Sequence, residues 1–340
     1  MDLSYLQKIR DLFPLDTESA TLQSLTSLSP STRFYTVDTA SSSIIGEDLG
    51  ECYIIDTPEG QKIASHPHLV GTDLAFQSLR AAYEFKAALM ELGLVSGFTG
   101  ILHILRGSAG YMVHDALPEL PVISVRTEYR DDGYRAHSDD SRHIKVTYSD
   151  YHGRDLDTLI IPDTYATGRS VEAALQHMMS NGGKPRSIII YGFIAIPSMR
   201  RLSALCKRMG SRLKTFAICD ITQLAVNNYD MTLFGIDEHH HSETGELNIL
   251  GSVVGEETLR DMSENFIPGL DQPGDWSERQ TKLYNGYHEE PGDIEGHLSK
   301  SIAFIESLDR VNREQGWYND KIKQLTGAEL ENLRSTISRY

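Results

Sequence analysis

The sequence predicts an α/β fold, a mostly parallel sheet flanked by helices, with a hood hairpin over one end and extensions at both termini. Three observations predict it. Apolar runs of strand length at 101–105, 159–161, 187–194 and 213–218 alternate with helix-length amphipathic segments. Most positions in these runs are apolar, as strands covered on both faces require. Two of them, 101–105 and 159–161, end in loops of small and hydroxylated residues, and open parallel sheets bind ligands at such strand ends.

Length and charge bound the rest. A chain of 340 residues with 40% hydrophobic content can bury one large core with additions or two modest ones. Thirty-two basic residues against 48 acidic ones give a net charge of −16, a field that repels nucleic acid and anionic lipid. No apolar stretch approaches bilayer length, and the start Met-Asp-Leu-Ser-Tyr has neither a basic end nor an apolar block, so the cytoplasm is the expected compartment. Cys52, Cys206 and Cys219 show no CxxC spacing and are expected to be buried thiols.

Taken in order, Leu3, Leu6, Ile9 and Leu12 step at helical spacing, Pro14 breaks the run, and 17–28 restarts it as a second short helix. Strands are expected at 33–37 and 52–56, with Thr57-Pro-Glu-Gly60 turning into an extended 61–63. Asp73 caps a helix running to about Leu92 that Gly93 stops, and His66-Pro-His-Leu69 before it has no apparent third ligand, so a structural or capping role is expected of its histidines rather than metal binding. The strand 101–105 leads into Arg106-Gly-Ser-Ala-Gly110, where Arg106 can pair bidentately with a diphosphate beside the permissive Gly107. A strand at 121–125, a polar excursion carrying Arg126 and Arg130, and an alternating 144–148 with Lys145 follow, and the family resemblance carried by later residues implies that they form a hood over the active site.

The pivotal stretch is 156–170. Asp163-Thr-Tyr-Ala-Thr-Gly-Arg-Ser170 joins an apolar strand to a helix. Ala166, Thr167, Gly168, Arg169 and Ser170 would present backbone N–H groups at the helix N-terminus, where the dipole favours an anion. The Thr167 and Ser170 hydroxyls can add hydrogen bonds, and Asp163 stands where a carboxylate could grip sugar hydroxyls. An ordinary β–α turn whose Thr or Ser merely caps the helix would look the same from these residues.

Downstream, strands and helices alternate to a further strand at 231–236. Asp237-Glu-His-His-His241, read as extended, would let His239 and His241 share a face, yet the expectation there is a loop and no dedicated metal site. From Ile294 to Val311 apolar residues step by three and four, and 328–337 forms a second short helix. These helices need a surface to cover, either this subunit's core or a partner's, and a dimer contact is expected.

Asp163 to Ser170 resembles the 5-phosphoribosyl 1-diphosphate (PRPP) loop of type I phosphoribosyltransferases. The following helix, strand and Ala195-Ile-Pro197 turn resemble those of uracil phosphoribosyltransferases, as does Phe266-Ile-Pro-Gly-Leu-Asp-Gln-Pro-Gly-Asp275 their uracil-binding segment. Arg106-Gly-Ser-Ala-Gly110 resembles the family's diphosphate loop. The resemblance spans 66–280, which makes 1–65 and 281–340 the extensions. It implies a type I phosphoribosyltransferase fold and transfer of phosphoribose from PRPP to a pyrimidine-like base, uracil first, with Mg²⁺ carried on the diphosphate. The roles it implies are Asp163 on the ribose hydroxyls, Thr164 to Ser170 on the 5-phosphate, and Arg106, Gly107 and Arg130 on the diphosphate. Asp275 would lie toward PRPP, and Ile267, Gly269 and Leu270 toward the base; the homo-oligomer expectation rests on the C-terminal helices instead. Three departures bear on this: Pro162-Asp163 inverts the family's Asp-Pro, Gln272 replaces an acid, and Arg169 replaces a glycine.

Overall fold

The computed structural model describes residues 3–129, 144–151 and 156–340. The N-terminal part runs α1 (Leu3–Leu12), β1 (Leu15–Asp16), β2 (Ala20–Gln23), β3 (Arg33–Val37), β4 (Glu51–Asp56), α2 (Pro58–Ser65) and α3 (Gly71–Glu91). The middle follows as β5 (Thr99–Leu105), a 3-10 turn (Gly107–Tyr111), α4 (Val113–Ala116), β6 (Val122–Tyr129), β7 (Ile144–Ser149), β8 (Thr158–Pro162), α5 (Arg169–Ser180), β9 (Ser187–Ala195), α6 (Ile196–Met209) and β10 (Arg212–Thr222). The remainder comprises β11 (Ile236–Asp237), α7 (Glu238–Thr244), β12 (Asn248–Ile249), β13 (Ser252–Val254), α8 (Glu256–Met262), β14 (Leu283–Tyr284), β15 (Glu289–Glu290), α9 (Ile294–Arg313) and α10 (Asp320–Ile337).

One sheet in the order β2-β3-β4-β10-β9-β8-β5-β6-β7 organises the chain. The six strands from β4 to β6 are parallel to one another. Antiparallel strands close both edges, β2 and β3 on one side and β7 on the other. Every residue of β5 and β9 is buried, and successive side chains feed opposite faces: Ile189 joins one core, Ile188 and Ile190 the other. Helices α5 and α6 cover the second face, while α1, α3, α9 and α10 cover the first. The α/β architecture expected from the sequence is therefore the observed one, and the antiparallel β6–β7 pair is the expected hairpin; residues 130–143, which join its strands and include Arg130, lie outside the described residues.

The topology fixes where a ligand can sit. From β5 the chain steps outward to β6, whereas from β8 it steps the other way to β9 and β10. The carboxyl ends of the neighbouring strands β5 and β8 thus flank a switch point, where the following loops diverge and leave a crevice. Both loops singled out in the sequence open there.

Several local expectations are corrected. Residues 17–28 are not a helix: the Asp16 carboxylate accepts from the N–H groups of Glu18, Ser19 and Ser43, a local turn that competes with helix, and β2 then pairs with β3. The turn-and-strand reading of 57–63 gives way to α2, because Thr57 is its N-cap, Oγ1 accepting from Gly60 N–H at 2.8 Å, and Pro58 stands in its first turn. Residues 231–236 form a 3-10 turn and the two-residue β11 instead of a full strand. The second C-terminal helix starts at Asp320, capped by the Asn319 side chain, well before 328. The surface that α9 covers is this subunit's own core, through Ile294, Leu298, Ile305 and Leu308. Residues 1–65 likewise add β2, β3 and β4 to the common sheet. All three cysteines are buried free thiols. Among the described residues no helix is long and apolar enough to cross a membrane.

Candidate functional site

A cleft of 610 Å³ opens at the switch point. Its wall carries Arg106 and Gly107 from the end of β5, Asp163, Thr164 and 166–171 from the end of β8, and 271–278 from the segment before β14. Sequence-distant candidates Arg106, Asp163, Ser170 and Asp275 therefore line one concavity.

Asp163 is set at the cleft floor by the sheet itself. Its N–H donates to Tyr191 O at 3.0 Å, and on the next strand Gly192, with φ of 151°, passes so close that a Cβ there would meet Asp163 O at 1.8 Å. Only a glycine permits that approach. Burial pushes the Asp163 carboxyl up to about 7, against a hydrogen bond from Thr164 N–H at 2.9 Å that works the other way. The Thr164 hydroxyl is fixed by Tyr111 Oη at 2.7 Å, and Tyr111 stacks within 4.4 Å of Trp276.

The loop beyond Thr164 ends in a helix capped by glycine. Gly168 is the N-cap of α5 with φ of 72° and no side-chain cap, so neither Thr167 nor Ser170 plays the ordinary capping part. Glu172 N–H closes the first turn of α5 on the Gly168 carbonyl at 3.0 Å, and the N–H groups that precede it have no helix carbonyl one turn back. The Thr167 carbonyl accepts from Arg201 Nε at 2.9 Å, and Arg201 also pairs with Glu172 at 3.0 Å, which braces the loop from α6. A Cβ on Gly168 would lie 3.1 Å from Ser198 Cβ. Gly168→Val is expected to weaken binding of a phosphate ligand at least tenfold and to cost about 1–3 kcal/mol of stability, from the positive φ and the crowding, read by titration and thermal melting.

Arg106 points into the same cleft but is held by two carboxylates, Glu290 at 2.7 Å and Glu278 at 3.0 Å. Gly107 lies beneath Trp276, whose Nε1 donates to the Gly107 carbonyl at 3.0 Å. Arg126 lies away from this arrangement, paired with Glu128 at 2.7 Å and donating to Asn285 O.

The 266–275 segment divides in two. Ile267 is buried in the core and Gly269 sits against Leu308 and Ile236, while Leu270 lines a smaller cavity of 240 Å³ beside the main cleft. Backbone groups here already pair internally: Gly269 N–H donates to Leu233 O, Leu233 N–H to Leu270 O at 2.7 Å, and Gln272 N–H to Met231 O at 2.9 Å. Gln272 is buried and its amide donates to Asp220 Oδ1 at 2.8 Å, fastening the segment to β10. Asp271 accepts from Met231 N–H, and burial, reinforced by Asp230, raises its carboxyl well above the ordinary range. Asp275 takes φ of 43° and its carboxyl is held low, first by His297 and then by Lys300 at 3.6 Å.

Sequence reasoning missed Tyr229, Trp276, Glu278, Asp293 and Lys300, all of which line the cleft. Asp293 and Lys300 belong to the C-terminal extension, and no local pattern ties α9 to a site it reaches only by folding back. The one available signal was Trp276, one of two tryptophans in the chain, adjoining Asp275. The 239–241 histidines lie on helix α7 rather than in an extended loop: the Asp237 side chain caps it through His240 N–H, and His239 lies 2.9 Å from Asp230.

No protein-family model matches this sequence, and no curated protein matches it. Among solved structures, the AQ2163 protein from Aquifex aeolicus is similar at 12% identity and a TM-score of 0.36 over 49% of this chain and 81% of that one. The purine phosphoribosyltransferase from Pyrococcus horikoshii is similar at 16% identity and 0.29 over 42% and 82%. The adenine phosphoribosyl transferase from Trypanosoma brucei, in complex with AMP, pyrophosphate and ribose-5-phosphate, is similar at 12% and 0.33 over 49% and 82%. Likeness at this level carries no argument about chemistry, which has to rest on this chain's own residues.

Proposed function

We propose that the protein transfers the 5-phosphoribosyl group of PRPP to a pyrimidine-like base, uracil first, releasing diphosphate. The observation that carries this reading is the cleft at the β5/β8 switch point, where a glycine-capped helix N-terminus, a recessed Asp163 and Arg106 share one wall. The first turn of α5 holds the 5-phosphate, with the Thr167 and Ser170 hydroxyls beside it. Asp163 grips the ribose hydroxyls, and Arg106 with Gly107 receives the diphosphate. The base lies toward the 240 Å³ annex, between Tyr229, Leu270 and Phe304. A base nitrogen forms the bond to C1 as the C1–oxygen bond to diphosphate breaks, and the proton of that nitrogen passes to solvent.

Asp275, Glu278 and Asp293 match Arg106, Arg169 and Lys300 in number, and burial raises Asp163 and Asp271 beside them, so a bare polyanion gains no net attraction from the lining. The hard oxygen donors of these acids suit Mg²⁺, which would arrive with PRPP and neutralise the departing diphosphate. The residues themselves position: Asp163 and the α5 turn fix the sugar from two sides while Trp276 and Tyr111 hold the two loops together.

A second reading, a non-catalytic PRPP- or nucleotide-binding regulator of the same fold, is favoured by one observation: Arg106 is engaged by Glu278 and Glu290. Purified protein with PRPP, Mg²⁺ and a panel of bases separates them. Base-dependent diphosphate release supports the enzyme, and saturable binding without turnover supports the regulator. Glu278→Gln, which loosens Arg106, is expected to tighten PRPP binding about three- to tenfold with the largest gain at low Mg²⁺; unchanged affinity would mean that Arg106 does not meet the ligand. Light scattering reads the homo-oligomer that accompanies this proposal.

A further inference from the structure

His66 ends α2 and His68 follows in the next turn, while Glu329 lies 261 residues beyond His68 on α10. Folding brings them together. His68 Nδ1 lies 2.8 Å from both Glu329 carboxylate oxygens, and His66 Nδ1 lies 3.4 Å from Oε2. The three ligand atoms fall within 4.8 Å of one another, and because an ion with bonds of about 2.0–2.2 Å holds its ligand atoms no more than about 4.4 Å apart, a small inward turn of one ring closes the set. The expectation that these histidines lack a third ligand is thereby corrected, since the third comes from the far end of the chain.

We propose that His66, His68 and Glu329 bind one divalent transition-metal ion of the Zn²⁺ class, a structural site separate from the PRPP cleft. Two imidazoles and a single carboxylate favour zinc-class ions over Mg²⁺ or Ca²⁺, which prefer all-oxygen sets. Glu329 is 3% exposed, its Oε1 accepts from His68 N–H at 3.1 Å, and nearby Arg279 is taken up by backbone carbonyls, which leaves the two rings as the side chains that face the carboxylate. His66 Nδ1 is a buried atom with no hydrogen-bond partner, as a nitrogen awaiting a ligand would be. Both rings are part-exposed, which leaves water access to a fourth position.

The site's place in the fold gives it a consequence. Pro67, between the two histidines, accepts at its carbonyl from His297 Nε2 at 2.9 Å, and His297 faces Asp275 in the cleft. Arg279 joins His66 O and Leu69 O to Pro273 O of the base-side segment. An ion here pins α10 to 66–69, and through them steadies the wall that carries Asp275.

The test uses the full chain, stripped with a chelator and dialysed, then titrated with Zn²⁺ against a chromophoric competitor. One ion per chain at submicromolar Kd is expected, with a rise of several degrees in Tm and, for Co²⁺, visible bands of a low-coordinate site. His66→Ala and His68→Ala should keep the far-UV circular dichroism of the parent and lose tight binding and the Tm rise. A His239→Ala, His240→Ala, His241→Ala triple variant should keep both. Weak or non-stoichiometric binding, binding that survives His66→Ala and His68→Ala, or binding lost only in the triple variant overturns the proposal.

Discussion

Asp163→Asn is expected to lower kcat/KM by roughly 10²–10⁴-fold and, in the ligand-free protein, to raise stability at alkaline pH. The first effect follows from losing charge-assisted hydrogen bonds to two ribose hydroxyls, about 1.5–3 kcal/mol each, at about 1.4 kcal/mol per tenfold in rate. The second follows from the carboxyl's pKa of about 7 in the fold against an ordinary 3.8. A group that holds its proton more tightly folded than unfolded contributes stability that is full below the unfolded value and lost as pH rises through the folded one. Ionising Asp163 between about pH 4 and 7 therefore costs stability, and asparagine does not ionise. Melting curves across that window should show the variant gaining on the parent as pH rises; comparing the two removes the contribution of Asp220, which burial also raises to about 7. An equal Tm difference at pH 4 and pH 8 would refute the raised carboxyl. In the proposed reaction an ionised Asp163 grips the sugar, so kcat/KM of the parent should climb through pH 7, and unchanged turnover in Asp163→Asn would remove the residue from that reaction.

Arg279→Ala is expected to be the most destabilising single change in the site's surroundings, by about 3–5 kcal/mol, or roughly 4–7 °C in Tm for a chain of 340 residues. This side chain is 1% exposed and donates to four backbone carbonyls, those of Ile63, His66, Leu69 and Pro273. Burial lowers its pKa to about 10, so it stays charged at neutral pH. Alanine leaves the four acceptors unpaired and opens a cavity among them. Lysine, with one compact ammonium, cannot reach all four, and Arg279→Lys should recover only part of the loss. Since Pro273 adjoins Gly274 and Asp275, KM for the base should rise even where the variant remains folded. A Tm within a degree or two of the parent would show that water replaces the guanidinium without cost.

The sheet was legible because burial on both faces demands mostly apolar runs, and β5, β8, β9 and β10 supply them despite His103, Lys214 and Asp220 within them. The loop 163–170 was legible because its strand, small residues and helix are adjacent in the chain. The edge elements were not. At 17–28 and 57–63 short segments carry too few periods to separate helix from strand, and the deciding features were a side-chain turn at Asp16 and a cap at Thr57. The pairing of Arg106 with Glu278 and Glu290 was equally out of reach, since it joins groups 172 and 184 positions apart.

By itself the sequence determined the alternation of strand and helix, the parallel sheet, and the two small-residue loops at strand ends, since hydrophobic period and backbone permissiveness are local properties. Tertiary structure alone decided that those loops share a wall at the switch point, that α9 reaches the cleft with Lys300, and that Glu329 joins His66 and His68. Such meetings depend on which faces the chain buries against each other, a choice made by the whole core and written in no single stretch of it.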